Sequence, residues 1–266
     1  SVYQNAFWER RIGRNRMEII AINEENIDRE HICCAIGNDK ENAARALTKK
    51  AWMKQTFKDG LVFKRLDERG KVFIEYLPIE KAWKPVTGRN YLMINCLWVA
   101  GKFKGQGWAT RLLETCITDA RLQNKAGIAV VTSNKRKPFL TEKAFYTKKG
   151  FETVDSAAPY FELMVLKLQK APLPRFSPEA KTAKISGQHN ITIIFSNQCP
   201  FMEAYVAEMA QVAKDAGFSV RVQKLESCQQ AQETGSPFGT LGIYYRGEFL
   251  THELMSMEKF RKIIGA

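Results

Sequence analysis

Residues 97–113, LWVAGKFKGQGWATRLL, decide how the chain is organised. They overlap the end of an apolar run, residues 90–99 (NYLMINCLWV), whose aromatic and β-branched residues and lack of charge predict a buried strand. The loop that follows carries Lys102, Lys104, Gly105 and Gly107. From Trp108 to Arg121, Leu112, Leu113, Cys116, Ile117 and Ala120 recur on one face, which predicts a helix. A strand feeding a glycine loop at a helix N-terminus can hold phosphate. The first-turn N–H groups lack intrahelical partners, and glycines let an anion approach the backbone. No GKS or GKT follows the glycines, so this is not a Walker loop, and the third glycine of a dinucleotide fingerprint is missing. By itself the pattern also fits an ordinary β–α turn.

A second segment adds to it. KGQGWA (residues 104–109) resembles the Gln/Arg-x-x-Gly-x-Gly/Ala signature of the GCN5-related N-acetyltransferases (GNAT), with Lys104 in the first place. KAFYTKKGF (residues 143–151) resembles the family's later helix in its Y-x-x-x-G-F part, Tyr146 to Phe151. The resemblance runs over residues 61–168 and is fainter upstream. It implies an α/β (α+β) fold, a mixed, mostly antiparallel central sheet flanked by helices. In that fold the central strand and GIAVVTS (residues 127–133) splay apart around the cofactor.

The resemblance also implies acetyl-CoA as co-substrate, an amine as acceptor, and specific roles. Backbone N–H groups of Gly105, Gln106, Gly107, Trp108, Ala109 and Thr110 would face the pyrophosphate, with charge added by Lys102, Lys104 and Arg111. Main-chain groups of Leu97, Trp98 and Val99 would hold acetyl and pantetheine and offer a small oxyanion hole. Tyr146 aligns with the tyrosine that protonates the departing thiolate; packing against Phe151 is its bland alternative. Neither splayed strand carries a carboxylate, so the nearest strand acid, Glu75, is the candidate base, with a strand-edge acid or an amine deprotonated by water as alternatives. His31, Ile32, Cys33 and Cys34 lie where substrate-side helices sit, either contacting substrate or forming a helix edge. Trp52 and Trp83 carry the same ambiguity.

Composition limits the alternatives. The chain has 266 residues and a formal charge of +13. Residues 101–150 hold eleven Lys/Arg against three acids, whereas residues 201–266 hold seven against eight. The excess lies around the phosphate loop, as a phosphate-rich cofactor requires. No nucleic-acid-binding signature accompanies it, so no nucleic-acid partner is expected. No run approaches the ~20 apolar residues that span a bilayer, and no signal peptide is legible, so no membrane partner and a cytoplasmic setting are expected. None of the six cysteines has C-x-x-C spacing and the three histidines are scattered, which predicts free thiols and no metal site. Oligomeric state stays open.

Residues 1–16 read as an extension or tag and residues 17–170 as the acetyltransferase unit. Along it the sequence predicts a strand over 18–22, a helix over 41–52 with Ala44, Leu47, Ala51 and Trp52 inward, and a hairpin of 61–67 and 71–79. After a loop over 84–89 and the central elements comes a helix with Pro138 near its start and Gly150 as cap, then strands over 151–155 and 160–168. Residues 171–187, with three prolines, read as a linker. Residues 188–266 restart as strand, helix, strand, then strand, strand, helix. Cys199 at the first strand–helix junction and Pro237 before a strand resemble thioredoxin-like domains. Together the two units resemble the YoaP-like two-domain proteins. Cys199 at a helix N-terminus is a possible thiol site, yet CPFM (residues 199–202) lacks a second cysteine. Cys228 is a candidate resolving partner, and Pro237 is a candidate cis proline. A thiol-based redox or sensor protein, with the first domain as a CoA-binding platform, is therefore the competing function.

Overall fold

The computed structural model describes residues 17–234 and 236–265; the expected extension, residues 1–16, lies outside them. The first unit is built on strands β1 (Ile19–Ile22), β2 (Val62–Leu66), β3 (Val72–Pro78), β5 (Tyr91–Val99), β6 (Gly127–Ser133), β7 (Glu152–Ala157) and β8 (Phe161–Lys167). They pair in the order β1-β2-β3-β5-β6-β8-β7. Only β5 and β6 run parallel; the other neighbours are antiparallel. The sheet is thus mixed and mostly antiparallel, as expected.

Strand alternation sends side chains to two cores. On one face, Ile74, Tyr76, Leu92, Ile94 and Ile128 pack with Leu112, Leu113, Cys116 and Ala120 of helix α2 (Trp108–Leu122). On the other, Phe63, Phe73, Leu77 and Met93 pack with Trp52 and Met53 of helix α1 (Lys40–Phe57). Ile194, Leu225 and Tyr244 of the second unit belong to that same core. The second unit therefore docks on the sheet face opposite α2 and shares its burial.

That unit has strands β10 (Ile191–Phe195), β11 (Val220–Lys224), β12 (Leu241–Tyr245) and β13 (Glu248–Thr251), in the order β11-β10-β12-β13. Only the β10–β11 pair is parallel. Helices α5 (Met202–Asp215) and α7 (Met257–Ile264) contribute Met202, Val206, Met209 and Phe260 to its own core. The strands and two longer helices follow the expected strand–helix–strand, then strand–strand–helix order, with one further short helix between the halves.

Several local expectations shift. The buried residues of α1 are Lys49, Trp52, Met53 and Thr56, whereas Leu47 is 68% exposed and Ala44 and Ala51 are exposed. The buried Lys49 turns the inward face of the helix away from Ala44, Leu47 and Ala51. The helix before Gly150 is only α3 (Lys143–Thr147); Pro138 lies outside it. The polar segment after β11 forms helix α6 (Cys228–Thr234), with Ala231 buried. Residues 171–187 carry structure of their own: β9 (Arg175–Phe176) pairs with β4 (Val86–Thr87), and Ala180 of α4 (Pro178–Lys181) is buried. The bond before Pro237 is not cis; the cis peptide among the described residues is Ala158–Pro159. Trp52 and Trp83 stack edge-to-face, ring centroids 5.5 Å apart, as buried core.

Polar contacts pin the two units together. Lys137 Nζ lies 3.1 Å from Glu253 Oε1. The Gln232 amide donates to the carbonyls of Glu80 and Ala82, each at 3.1 Å. Fully buried His252 lies 3.0 Å from the Pro138 carbonyl through Nε2 and 2.7 Å from the Tyr160 hydroxyl through Nδ1. A carbonyl only accepts, so Nε2 carries the proton and Nδ1 accepts from Tyr160.

Burial pushes the His252 imidazole down to about 4. The unfolded chain therefore binds the extra proton between that value and 6.5, and stability falls as pH drops through this window. The expected loss from this residue is about 2 kcal/mol between roughly pH 7 and 4.5. Denaturant unfolding of His252→Asn should show a correspondingly shallower pH dependence. An identical dependence in both proteins would contradict it.

Candidate active site

The site begins where β5 and β6 part. Their pairing covers only Tyr91 to Ile94 against Gly127 to Val130. Beyond that, residues 96–99 stay paired with β3 and residues 131–133 with β8. The facing edges of the two strands have no strand partner, which opens a slot through the sheet. A register shift between Glu75 and Tyr76 leaves Asn95 as the extra residue of β5, and such a bulge bends a strand away from its neighbour. Ile94, Leu97, Trp98, Val130, Thr141 and Tyr146 line the slot. Thr141 Oγ1 donates to the Leu97 carbonyl at 3.2 Å. Trp98 is exposed and Val99 half-buried.

At the end of β5, residues 101–103 make one turn of 3₁₀ helix, and Gly107 then caps α2. Gly101, Gly105 and Gly107 have φ of 63°, 75° and 80°, a region in which L side chains are strained. A Cβ at any of them would meet nothing within 4 Å, so the loop is open. No side chain caps the first turn of α2, and its orphan N–H groups point out at the loop. Lys102, Lys104 and Arg111 are exposed around it, with the Arg111 guanidinium stacked 4.1 Å over the Trp108 ring. Gln106 folds back, its amide nitrogen 2.6 Å from the Lys102 carbonyl. Ala109 and Thr110 are half-buried in the first turn. Uncapped donors, open glycines and flanking cations suit a diphosphate.

Tyr146 sits on α3, buried between Phe145 and Phe151, with ring centroids 5.2 and 5.1 Å away. Burial pushes its phenol well above the usual value, while a hydrogen bond with Thr141 pulls the other way. The phenol is protonated throughout the neutral range.

On the opposite face a cavity of about 200 Å³ adjoins the slot, with Asn95, Cys96, Trp98, Phe139 and Phe238 lining both. Glu75 opens into it, 1% exposed and ion-paired with Lys49. Asn95 Nδ2 also donates to Glu75 Oε1 at 2.9 Å, and Lys49 Nζ donates to the Gln198 carbonyl at 2.6 Å. Lys49 thus ties α1, β3 and the second unit together. The second unit covers the cavity with Cys199, Phe201, Phe238 and Leu254. Cys34 lines it too, on a non-helical segment in which Cys33 and Ala35 have positive φ. His31 turns away, to 3.1 Å from the Glu68 carbonyl.

Lys49, Asn95, Thr141 and Gln198, and Lys84, which also lines the slot, are not singled out by any motif in the sequence. Asn95 carried a signal, as the polar residue inside an apolar strand.

The thiol-redox reading finds no support. Burial raises the thiols of Cys34, Cys199 and Cys96, the last to about 12, so all three are protonated and poorly nucleophilic. Cys199 precedes α5 by three residues, and both it and Cys228 are unbridged. Among the described residues no His, Cys, Asp and Glu cluster could hold a metal ion, and no helix is long and apolar enough to cross a membrane.

A splayed parallel pair with a glycine-capped helix defines an acyltransferase of the GNAT class, and residues 66–153 match the family model of the acetyltransferase (GNAT) domain. Residues 220–262 match the YoaP-like family. The chain is 39% identical over 247 residues to the uncharacterized N-acetyltransferase YoaP of Bacillus subtilis, covering 92% of this chain and 98% of that one. The chain belongs to the YoaP-like N-acetyltransferases. Among solved structures, a GNAT acetyltransferase from Staphylococcus aureus Mu50 is 16% identical, with 58% of this chain and 100% of that one covered and a TM-score of 0.41. A GNAT acetyltransferase from Brucella melitensis, solved with acetyl-CoA, is 16% identical over 62% and 95%, with a TM-score of 0.39.

Proposed function

We propose that the protein moves an acetyl group from acetyl-CoA to the amine of an acceptor held in the cavity beside the slot, in the cytoplasm. The observation that carries this is the slot itself. It joins an anion-binding helix terminus on one side to a cavity with a buried carboxylate on the other. Acetyl-CoA supplies a thioester whose carbonyl must be polarised and whose thiolate must be protonated on leaving.

In this reading, the N–H groups of residues 105–110 bind the diphosphate, and Lys102, Lys104 and Arg111 draw it in. The unpaired main-chain edge of Leu97, Trp98 and Val99 aligns the pantetheine and polarises the acetyl carbonyl. Tyr146, neutral and at the slot, gives its proton to the sulfur. Glu75 accepts two hydrogen bonds and keeps lone pairs for the acceptor N–H groups, which suits it to orienting the amine.

Calorimetric titration with acetyl-CoA at low and moderate salt tests the reading. Saturable binding that weakens as salt rises is expected, because exposed lysines supply part of the attraction. No binding of either acetyl-CoA or CoA would overturn it.

A further inference from the structure

The cavity beside the slot has a composition of its own. Phe63, Phe73 and Trp98 of the first unit and Phe201, Phe238 and Leu254 of the second make apolar walls. Hydrogen-bond acceptors interrupt them. Asn95 must present Nδ2 to the Glu75 carboxylate, because a carboxylate only accepts, and this fixes the amide orientation. Its Oδ1 is then buried with no partner among the described residues, and the same holds for Gln198 Oε1 and Thr240 Oγ1. All three residues line the cavity together with Glu75. Buried acceptors left unpaired are costly unless a donor arrives. An ammonium or amine offers two or three N–H donors.

The charges do not balance, however. Lys49 and Glu75 cancel one another. Lys84, 2% exposed, lines the slot beside Cys96 and Phe238 and makes no ion pair among the described residues. Its side chain lies against Gly239 of the second unit, where a built Cβ would come within 3.2 Å of Cε. It is therefore on the acceptor side of the sheet, away from α2. Burial lowers its ammonium to about 8, while the Glu75 carboxylate pulls the other way. Adjoining the acceptor set, a buried cation in excess asks for an anion.

We infer that the acceptor is a free amino acid with an apolar side chain: its amino group meets Glu75, Asn95 and Gln198, its carboxylate meets Lys84, and its side chain fills the aromatic walls contributed by both units. The inference rests on the acetyl-transfer reading above. The cavity volume, about 200 Å³, lies below the roughly 300 Å³ at which drug-sized pockets begin, and the second unit covers it. A volume of this size matches a single residue better than a longer peptide segment. The YoaP-like unit is thus a wall of the acceptor site, and it sets specificity. The bond changes are those of the parent reaction. The α-ammonium first gives one proton to solvent; the neutral nitrogen then forms a bond to the acetyl carbon, the carbon–sulfur bond breaks, the thiolate takes its proton from Tyr146, and the second proton shed by the nitrogen restores the Tyr146 phenol through solvent.

Initial rates with matched acceptors test this. L-Phenylalanine, L-leucine and L-tryptophan would each be compared with the amine that lacks only the carboxylate, and with a tripeptide bearing the same N-terminal residue. At least one amino acid should exceed its decarboxylated partner at least about tenfold in kcat/KM, the scale of a charged hydrogen bond, and its tripeptide should be poor. In Lys84→Met that ratio should collapse to about one, and Lys84→Gln gives a second reading if the first variant folds poorly. Three results would overturn the inference: an amine or tripeptide as good as its amino acid, a ratio unmoved in both variants, or no amino acid acetylated although acetyl-CoA binds. Absent acetyl-CoA binding in the unaltered protein would instead locate the failure in the parent reading.

Discussion

Gly107→Glu should lower acetyl-CoA affinity by about a thousandfold or more while leaving the protein folded. Two effects combine. Gly107 has φ of 80° and ψ of 2°, so any L side chain there carries about 1–2 kcal/mol of strain. The larger effect is charge. The new carboxylate would sit on the uncapped N–H groups of α2, the place proposed for the diphosphate, and would both occupy the donors and repel the ligand. The fold should tolerate it. A Cβ at Gly107 meets nothing within 4 Å, and an acid at a helix N-terminus favours the helix dipole, offsetting part of the strain. Gly107→Ala separates the two causes, since it carries the strain without the charge. Calorimetry should show a modest weakening for alanine and no measurable binding for glutamate. Equal affinity in Gly107→Glu and the unaltered protein would remove this loop as the anchor.

The loop was legible in the sequence because its physics is local. A charge-free strand, three glycines and an amphipathic helix follow one another within 33 residues, 90–122, and each needs only its neighbours to form. The cavity was not legible, because its physics is remote. Lys49 reads as a solvated lysine on a helix, and what buries it are Glu75 and the Gln198 carbonyl, 26 and 149 residues away. Ala44, Leu47 and Ala51, in phase with one another on a different face of the helix, look like better core residues and are exposed. Glu75 had an undecided face in the sequence, since a strand register slip of one residue reverses it. The observed pairing with Phe63 and Cys96 places it on the α1 side. The short Gln-rich helix α6 was missed for another reason. It buries only Ala231 and so shows no apolar period.

The second unit was legible as a fold but not as a lid. Its cysteine at the first strand–helix junction suggested thiol chemistry, whereas its placement supplies a wall. Phe201, two residues beyond Cys199, faces the cavity and also stacks under Arg45 of α1 at 5.2 Å. Burial explains both outcomes together. The docking that brings Cys199 against Lys49, Cys34 and Cys96 also strips it of solvent and raises its thiol. A position that favours a thiolate in an isolated domain loses that property once a second unit covers it.

Tyr146→Phe should reduce kcat by about a hundredfold or more with KM nearly unchanged. The phenol lies at the slot, and burial keeps it protonated at every working pH. Its removal therefore leaves the departing thiolate to be protonated by water. Steric damage should be small. Phenylalanine retains the ring contacts with Phe145 and Phe151 and loses only the hydroxyl beside Thr141. Thr141 keeps its own bond to the Leu97 carbonyl, so the slot edge stays in place. Acceptor binding on the other face of the sheet should not change, because Glu75, Asn95 and Lys84 are untouched. A merely structural tyrosine would give the opposite pattern, a lower melting temperature with kcat preserved per folded molecule. Steady-state kinetics and thermal unfolding of the same preparation distinguish the two, and an unaltered kcat would remove Tyr146 from the chemistry.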